Sequence, residues 1–379
     1  MEHVLIDTST YRADPRRVKP EFRALKRLAR ARAVQLHVPH YVKEEFLSQQ
    51  RCGINKELEA IGAAARTLLR LGGNADLIRY AETTEASAAR TAQQVWEWSG
   101  RQFQAWVEEC HAIVHPVQPE HSLRVTNDYF SGSPPFRAPK HRDDLPDSFI
   151  WQTALDIVRA EGALSLVSAD GGLYKAADEN AQMEAYKTLH DFIQKDPCQA
   201  ALENLTSEIV NHNVGRIAAL LPGQQELLLQ HLSGLIVNAL YRRTVRHPAI
   251  ADDNNEAMIL MVGGPEHTEF DFSQIDYYGD GDLGIAFTTS VECTLSYYIY
   301  KGDYYTLPNT DDIDIEDWND HYFSAEESYP LTAHGTLSIT IDVQELESDQ
   351  LTDEDLEPLI RNSGPSVEID NVSVNVPDW

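Results

Sequence analysis

Two short aliphatic runs in this chain each stop at a hydroxyl residue and an aspartate. Val4-Leu5-Ile6 runs into Asp7-Thr8-Ser9, and Ala163-Leu-Ser-Leu-Val167 runs into Ser168-Ala169-Asp170, with Gly171-Gly172 behind it. A continuous apolar run bounded by polar residues predicts a strand buried on both faces, as in parallel sheets covered by helices. An aspartate just past such a strand stands at the carboxyl edge, where open α/β sheets place their ligands. A dry, unpaired carboxylate is costly there, so each needs a cation or hydrogen-bond donors. Helix capping answers that need as well as a metal does, because Asp7, Thr8 or Ser9 can cap a helix starting directly after the strand. The choice depends on whether further acids reach the same edge.

Two do so by pattern. Val34-Gln-Leu-His-Val38-Pro39 alternates and stops at proline, which predicts a second strand. Tyr41-Val-Lys-Glu44-Glu45-Phe46 then opens a helix, with Glu45, or Glu44 in the other register, near its start. Pro146-Asp147-Ser148 opens another helix, where Asp147 reads as cap or ligand. Residues 53–112 read as helical throughout, broken into a hairpin at Gly72-Gly73-Asn74, with the Trp-rich stripe taken as core. Residues 115–146 read as a long irregular loop, of the length that often serves function. Arg12 to Arg32 reads as an amphipathic helix with a basic outer face, carrying Arg12, Arg16, Arg17, Arg23, Lys26 and Arg27. Together with Lys140 and Arg142 from the long loop, these are the candidate phosphate contacts, and a solvated face is the plain alternative.

If the two strand ends and two helix starts converge, Asp7, Glu45, Asp147 and Asp170 share one site. Four carboxylates a few ångströms apart raise each other's pKa and call for a counter-charge. Oxygen-only ligation suits Mg²⁺ or Mn²⁺ rather than zinc. An acid-lined metal beside a basic face is what phosphodiester hydrolysis needs.

The order and flanks of these motifs resemble the PIN-domain nucleases over about residues 1–195. The matching stretches are Asp7-Thr8 after the first strand, Glu45 in Val38-Pro-His-Tyr-Val-Lys-Glu-Glu-Phe46, Asp147 in Asp147-Ser-Phe-Ile-Trp, and Asp170 in Ser168-Ala-Asp170. The resemblance implies an α/β PIN-like domain, a parallel sheet flanked by helices, with a helical insertion at about 47–135. It implies catalysis and metal binding by the four acids, supported by Thr8 and Ser168, with Mg²⁺ or Mn²⁺ as cofactor. The implied activity is endonucleolytic, on RNA by preference and on single-stranded DNA as the other substrate, in a bacterial toxin or anti-phage effector. Many PIN domains carry one more acid two residues beyond the last aspartate, where this chain has Gly172.

The rest of the chain differs in charge. Residues 251–379 hold only 2 of the 31 Lys and Arg but 30 of the 60 Asp and Glu. Such asymmetry predicts two bodies with different roles. Residues 196–250 read as a helical connector around Pro222-Gly223, and 251–379 as an acidic antiparallel all-β domain, regulatory or partner-binding. It is expected either to bind a protein partner or to cover the basic face within the chain. The non-catalytic alternative is a PIN-like scaffold whose acidic domain recruits that partner. Asp280-Gly-Asp282 and the run from Asp311 to Asp317 lack the twelve-residue Ca²⁺ loop. Four scattered cysteines without CxxC spacing give no zinc or disulfide signal. With no apolar run of spanning length, the expectation is a soluble cytoplasmic protein with no membrane contact. Oligomeric state is left open by these patterns.

Overall fold

Val4, Leu5 and Ile6 are completely buried at the centre of a five-stranded sheet. The structure is a computed structural model that describes residues 1–205, 208–307, 310, 312–342 and 352–375. The chain forms two compact units, Met1–Leu202 and Glu203–Trp379.

The first unit runs β1 (Glu2–Ile6), α1 (Thr8–Ala13), α2 (Pro20–Arg30), β2 (Val34–Pro39), α3 (His40–Leu71), α4 (Ala75–Glu109), β3 (Ile113–His115), α5 (Pro119–Ser131), α6 (Leu145–Glu161), β4 (Leu164–Val167), α7 (Gly171–Asp178), β5 (Met183–Tyr186), α8 (Leu189–Ile193) and α9 (Asp196–Leu205). The sheet order is β3-β2-β1-β4-β5. All neighbours are parallel, with Leu5 opposite both His37 and Leu166. β1 and β4 are therefore adjacent, and the two strand-aspartate motifs end side by side.

Local chemistry explains the elements around this sheet. Pro20 opens α2, where a missing N–H costs nothing. Phe22, Leu25 and Leu28 form its buried stripe. α3 and α4 form a long hairpin that turns at Gly72, whose φ is +76°, with Asn74 capping α4 through Leu77. Tyr11, Phe22, Phe46, Phe103 and Trp106 meet with ring centroids 5.3–6.0 Å apart, which fastens the hairpin base to α1 and α2. The Trp stripe is core only in part, since Trp96 and Trp98 are exposed. The predicted loop and insertion also need correction. β3, the third strand of the sheet, falls inside 47–135, and α5 occupies much of 115–146. Pro119 at its first turn and Gly132 in the left-handed conformation at its end bound that helix.

The second unit continues with α10 (Glu208–Leu220), α11 (Gln225–Leu240), β6 (Thr244–Arg246), β7 (Glu256–Tyr277), β8 (Asp282–Tyr300), α12 (Lys301–Tyr304), β9 (Asp314–Asp317), β10 (Tyr322–Thr340), α13 (Asp353–Arg361) and β11 (Ser366–Val374). Its antiparallel sheet is ordered β11-β10-β8-β7-β6, with β9 on β10. From Ile285 onwards β8 alternates, burying Ile285, Phe287, Val291, Leu295 and Ile299. These side chains share one core with Leu228, Leu232 and Ile236 of α11 and with Leu356 and Ile360 of α13. Helices thus complete a unit that the sequence presents as all-β. The stretch taken as a connector supplies a helical wall of that core. Asp311 and Val343, in the acidic and strand runs, lie outside the described residues.

Candidate active site

Parallel strands and their return helices bring four acids to one rim. Asp7 follows β1 and Asp170 follows β4. Glu45 lies in the second turn of α3, which starts directly after β2. Asp147 is the third residue of α6, whose start faces the end of β4 because the helix runs back along the sheet.

Asp7 is only 4 % exposed and is tied down by hydroxyls. Its Oδ2 accepts from Ser9 Oγ at 2.7 Å, from Ser168 Oγ at 3.0 Å and from the Ser9 amide at 3.3 Å. Ser168 Oγ also accepts from the Asp170 amide at 3.0 Å, and Ser9 Oγ from the Ala169 amide at 3.2 Å. The two serines therefore lace the ends of β1 and β4 together. Asp170 caps α7, its Oδ1 accepting from the Gly172 and Leu173 amides at 2.8 and 3.0 Å. Both aspartates are caps as well as rim acids, so the two readings of these motifs coexist.

Glu45 rather than Glu44 faces this network. Its Oε2 accepts from Thr8 Oγ1 at 2.8 Å and its Oε1 from Gln49 Nε2 at 2.9 Å. Glu44 is exposed, with Lys43 3.9 Å away. Asp147 is half-buried and is not the helix cap, a position that falls to Asp144. Burial, and then the charges of Asp170, Asp7 and Glu45, push its carboxyl up to about 8. Asp170, Asp7 and Glu45 thus all lie within electrostatic reach of Asp147. Among the described residues, however, no group of three or more His, Cys, Asp or Glu side chains is gathered tightly enough to hold a metal ion. The donor set has the chemistry a hard divalent cation requires, all oxygen and in excess of negative charge. Its side chains stand apart from a closed coordination shell.

The bases divide. Arg12, Arg16, Lys140 and Arg142 are exposed. Arg17 turns inward, with its guanidinium 5.3–5.6 Å from the Phe46, Phe103 and Trp106 ring centres. Lys26 pairs with Glu109. α2 starts near the acid rim and returns along the sheet, so Arg23, Lys26 and Arg27 lie progressively further from it. Sequence reasoning missed Arg137. Its Nε and Nη2 donate to Asp144 Oδ1 at 2.9 and 2.6 Å, and its amide donates to Asp144 Oδ2 at 2.9 Å. The signal for it was faint, a single arginine between two prolines in a loop with no periodicity.

No curated protein and no solved structure matches this chain. Residues 4–174 match the family model of the PIN domain, from within β1 to the first turn of α7, and include all four rim acids. The N-terminal unit of this chain therefore matches the PIN domain over most of its length, and PIN domains are typically metal-dependent nucleases.

Proposed function

We propose that the protein is a metal-dependent endonuclease that cleaves RNA, and single-stranded DNA less well, at Asp7, Glu45, Asp147 and Asp170. The observation that supports this most is Asp147. A half-buried carboxyl driven up to about 8 by burial and three neighbouring carboxylates is an unfavourable arrangement for a merely structural residue. Bound by these four acids, Mg²⁺ or Mn²⁺ would supply an acidified water and charge neutralisation at the phosphate. The chain's own hydroxyls preset the donors. Thr8 orients Glu45, while Ser9 and Ser168 hold Asp7 and leave its carboxylate little rotational freedom.

The direct test is cleavage of labelled single-stranded RNA and DNA with Mg²⁺, with Mn²⁺ and with excess EDTA. Asp147→Asn and Asp170→Asn should each lower the rate by about 100-fold or more, given that even residues supporting a metal ligand cost 10–100-fold. Cleavage that persists in EDTA, or full activity of Asp170→Asn, would sink the reading. The resemblance further implies a toxin or phage-defence setting. Growth arrest on induced expression, lost in Asp147→Asn, would support it.

The open spacing of the acids favours one rival, a PIN scaffold that binds without cutting and uses its acidic unit to recruit a partner. The same assay separates the two, because a scaffold leaves RNA intact under every metal condition.

A further inference from the structure

The loop at Pro134–Arg137 closes down on the start of α7 at one point. A Cβ built on Gly172 would lie 2.9 Å from the Pro135 carbonyl oxygen and 3.2 Å from Asp170 Oδ1. Position 172 is therefore shut to any side chain unless the loop moves. Beside the acids, this loop presents a cation. Arg137 is gripped from behind by Asp144, which is 1 % exposed, while its own side chain stays 60 % exposed. Among the described residues its Nη1 makes no hydrogen bond. The charges of Asp170 and Asp147 both act on it, after the Asp144 hydrogen bond and charge. Loop and helix enclose an open cleft of about 430 Å³, lined among others by Pro135, Arg137, Asp170, Gly172, Lys175 and Glu179. Lys175 lies 3.8 Å from Glu179 and is mostly exposed.

We propose that this cleft seats the nucleotide next to the bond that is cut, with Arg137 as the residue that positions its phosphate and Lys175 as a second cation. The proposal rests on the nucleolytic reading above and adds the substrate's path to it. A strand crossing Asp170 brings its phosphates to a rim crowded with carboxylates, so some cation must meet it there. A guanidinium offers a planar fork that matches phosphate geometry. One already fixed by a buried aspartate has little side-chain freedom left to lose on binding. The size of the cleft lies within the range of small-ligand sites, and Pro134, Pro135 and Phe136 give it an apolar wall for a sugar or base.

The test is binding in EDTA, which removes cleavage from the readout. The full chain is titrated against a fluorescein-labelled twelve-nucleotide single-stranded RNA, followed by anisotropy, from low to moderate salt. Arg137→Gln should weaken binding about tenfold, as for a lost charged hydrogen bond. It should also flatten the salt dependence by roughly 0.7 in log–log slope. Arg137→Lys should restore most of the slope and little of the affinity, because it keeps the charge and loses the fork. Lys175→Gln, which leaves the loop contacts intact, should flatten the slope as well. If Arg137 only ties the loop to Asp144, Arg137→Gln lowers the melting temperature and leaves the salt slope of the folded protein unchanged, which overturns the proposal. Absence of RNA binding by the wild-type chain in EDTA overturns it too. Binding with these effects but no metal-dependent cleavage would defeat the nuclease reading alone.

Discussion

Asp147 is the residue where site and stability conflict. Its carboxyl sits at about 8 in the fold, against an ordinary value near 4 in the unfolded chain. The folded state therefore binds the proton more tightly between these two values, and stability falls as pH rises through them. Below about pH 4 the group is neutral in both states and the penalty vanishes. Above about pH 8 the full penalty is present. Asp147→Asn keeps the shape and removes the charge, so in EDTA it should melt higher than the wild type, with no gain at pH 4 and the largest gain above pH 8. For a half-exposed carboxylate screened by solvent, the gain should be on the order of 1 kcal/mol, a few degrees for a unit of this size. Added Mn²⁺ should stabilise the wild type and not the variant. A variant that melts with the wild type at every pH would mean that Asp147 escapes its neighbours' charge.

At the level of elements, the sheet carries a second titratable device away from the acids. His3, His37 and His115 lie on three adjacent strands, β1, β2 and β3. His3 Nδ1 is 3.0 Å from His37 Nε2, and His37 Nδ1 is 2.8 Å from His115 Nε2. Such a chain needs its middle ring, His37, neutral, with one nitrogen donating and the other accepting. His37 is 1 % exposed, and burial, then His115 and His3, hold its pKa down at about 3. Glu161 lies 3.7 Å from His3, and it and Asp156 oppose the depression at His115. The unfolded chain takes up a proton near pH 6.5 that folded His37 refuses, so stability is lost as pH falls below that value. At pH 5 the loss is about 2 kcal/mol for one such histidine. His37→Leu should show a flatter melting-temperature profile between pH 7 and 5, whatever its stability at pH 8. An unchanged profile would place the acid sensitivity elsewhere. This row of histidines was not legible in the sequence, because only the strand register brings positions 3, 37 and 115 together. The strands ending at Asp7 and Asp170 were legible because a continuous apolar run followed by an acid has few other uses. α5 was missed for the opposite reason. Its apolar residues form no buried stripe, since Leu123 and Phe130 are exposed and only His121 and Val125 are buried. α13 was hidden similarly, as one short helix with two buried anchors, Leu356 and Ile360, inside a strand-rich and acidic stretch.

For the whole molecule, the fold changes before the acidic half begins. Charge alone suggests a boundary near residue 250, but α11 gives Leu228, Leu232, Ile236 and Leu240 to the same core as Ile285 and Leu337. A cut at 250 would leave that apolar helix face on the N-terminal unit without its sheet, an invitation to aggregation. The cut that respects packing comes after Leu202. Residues 251–379 hold 30 of the 60 acids and only 2 of the 31 bases, so the second unit is a concentrated source of negative potential tethered to the first. A nucleic acid bound to the first unit is repelled by that field wherever it comes within the screening length of the second unit. Screening acts over about 20 Å at 0.02 M salt and about 5 Å at 0.3 M, so the repulsion should be strong only at low salt. Residues 1–202 should therefore bind single-stranded RNA several-fold more tightly than the full chain at 0.02 M salt, with the gap closing towards 0.3 M. Cleavage under low-substrate conditions should show the same pattern. A gap that persists at 0.3 M would require a specific covering contact rather than a diffuse field. Weaker binding by the truncated form would show that the acidic unit assists recruitment, and the prediction would fail.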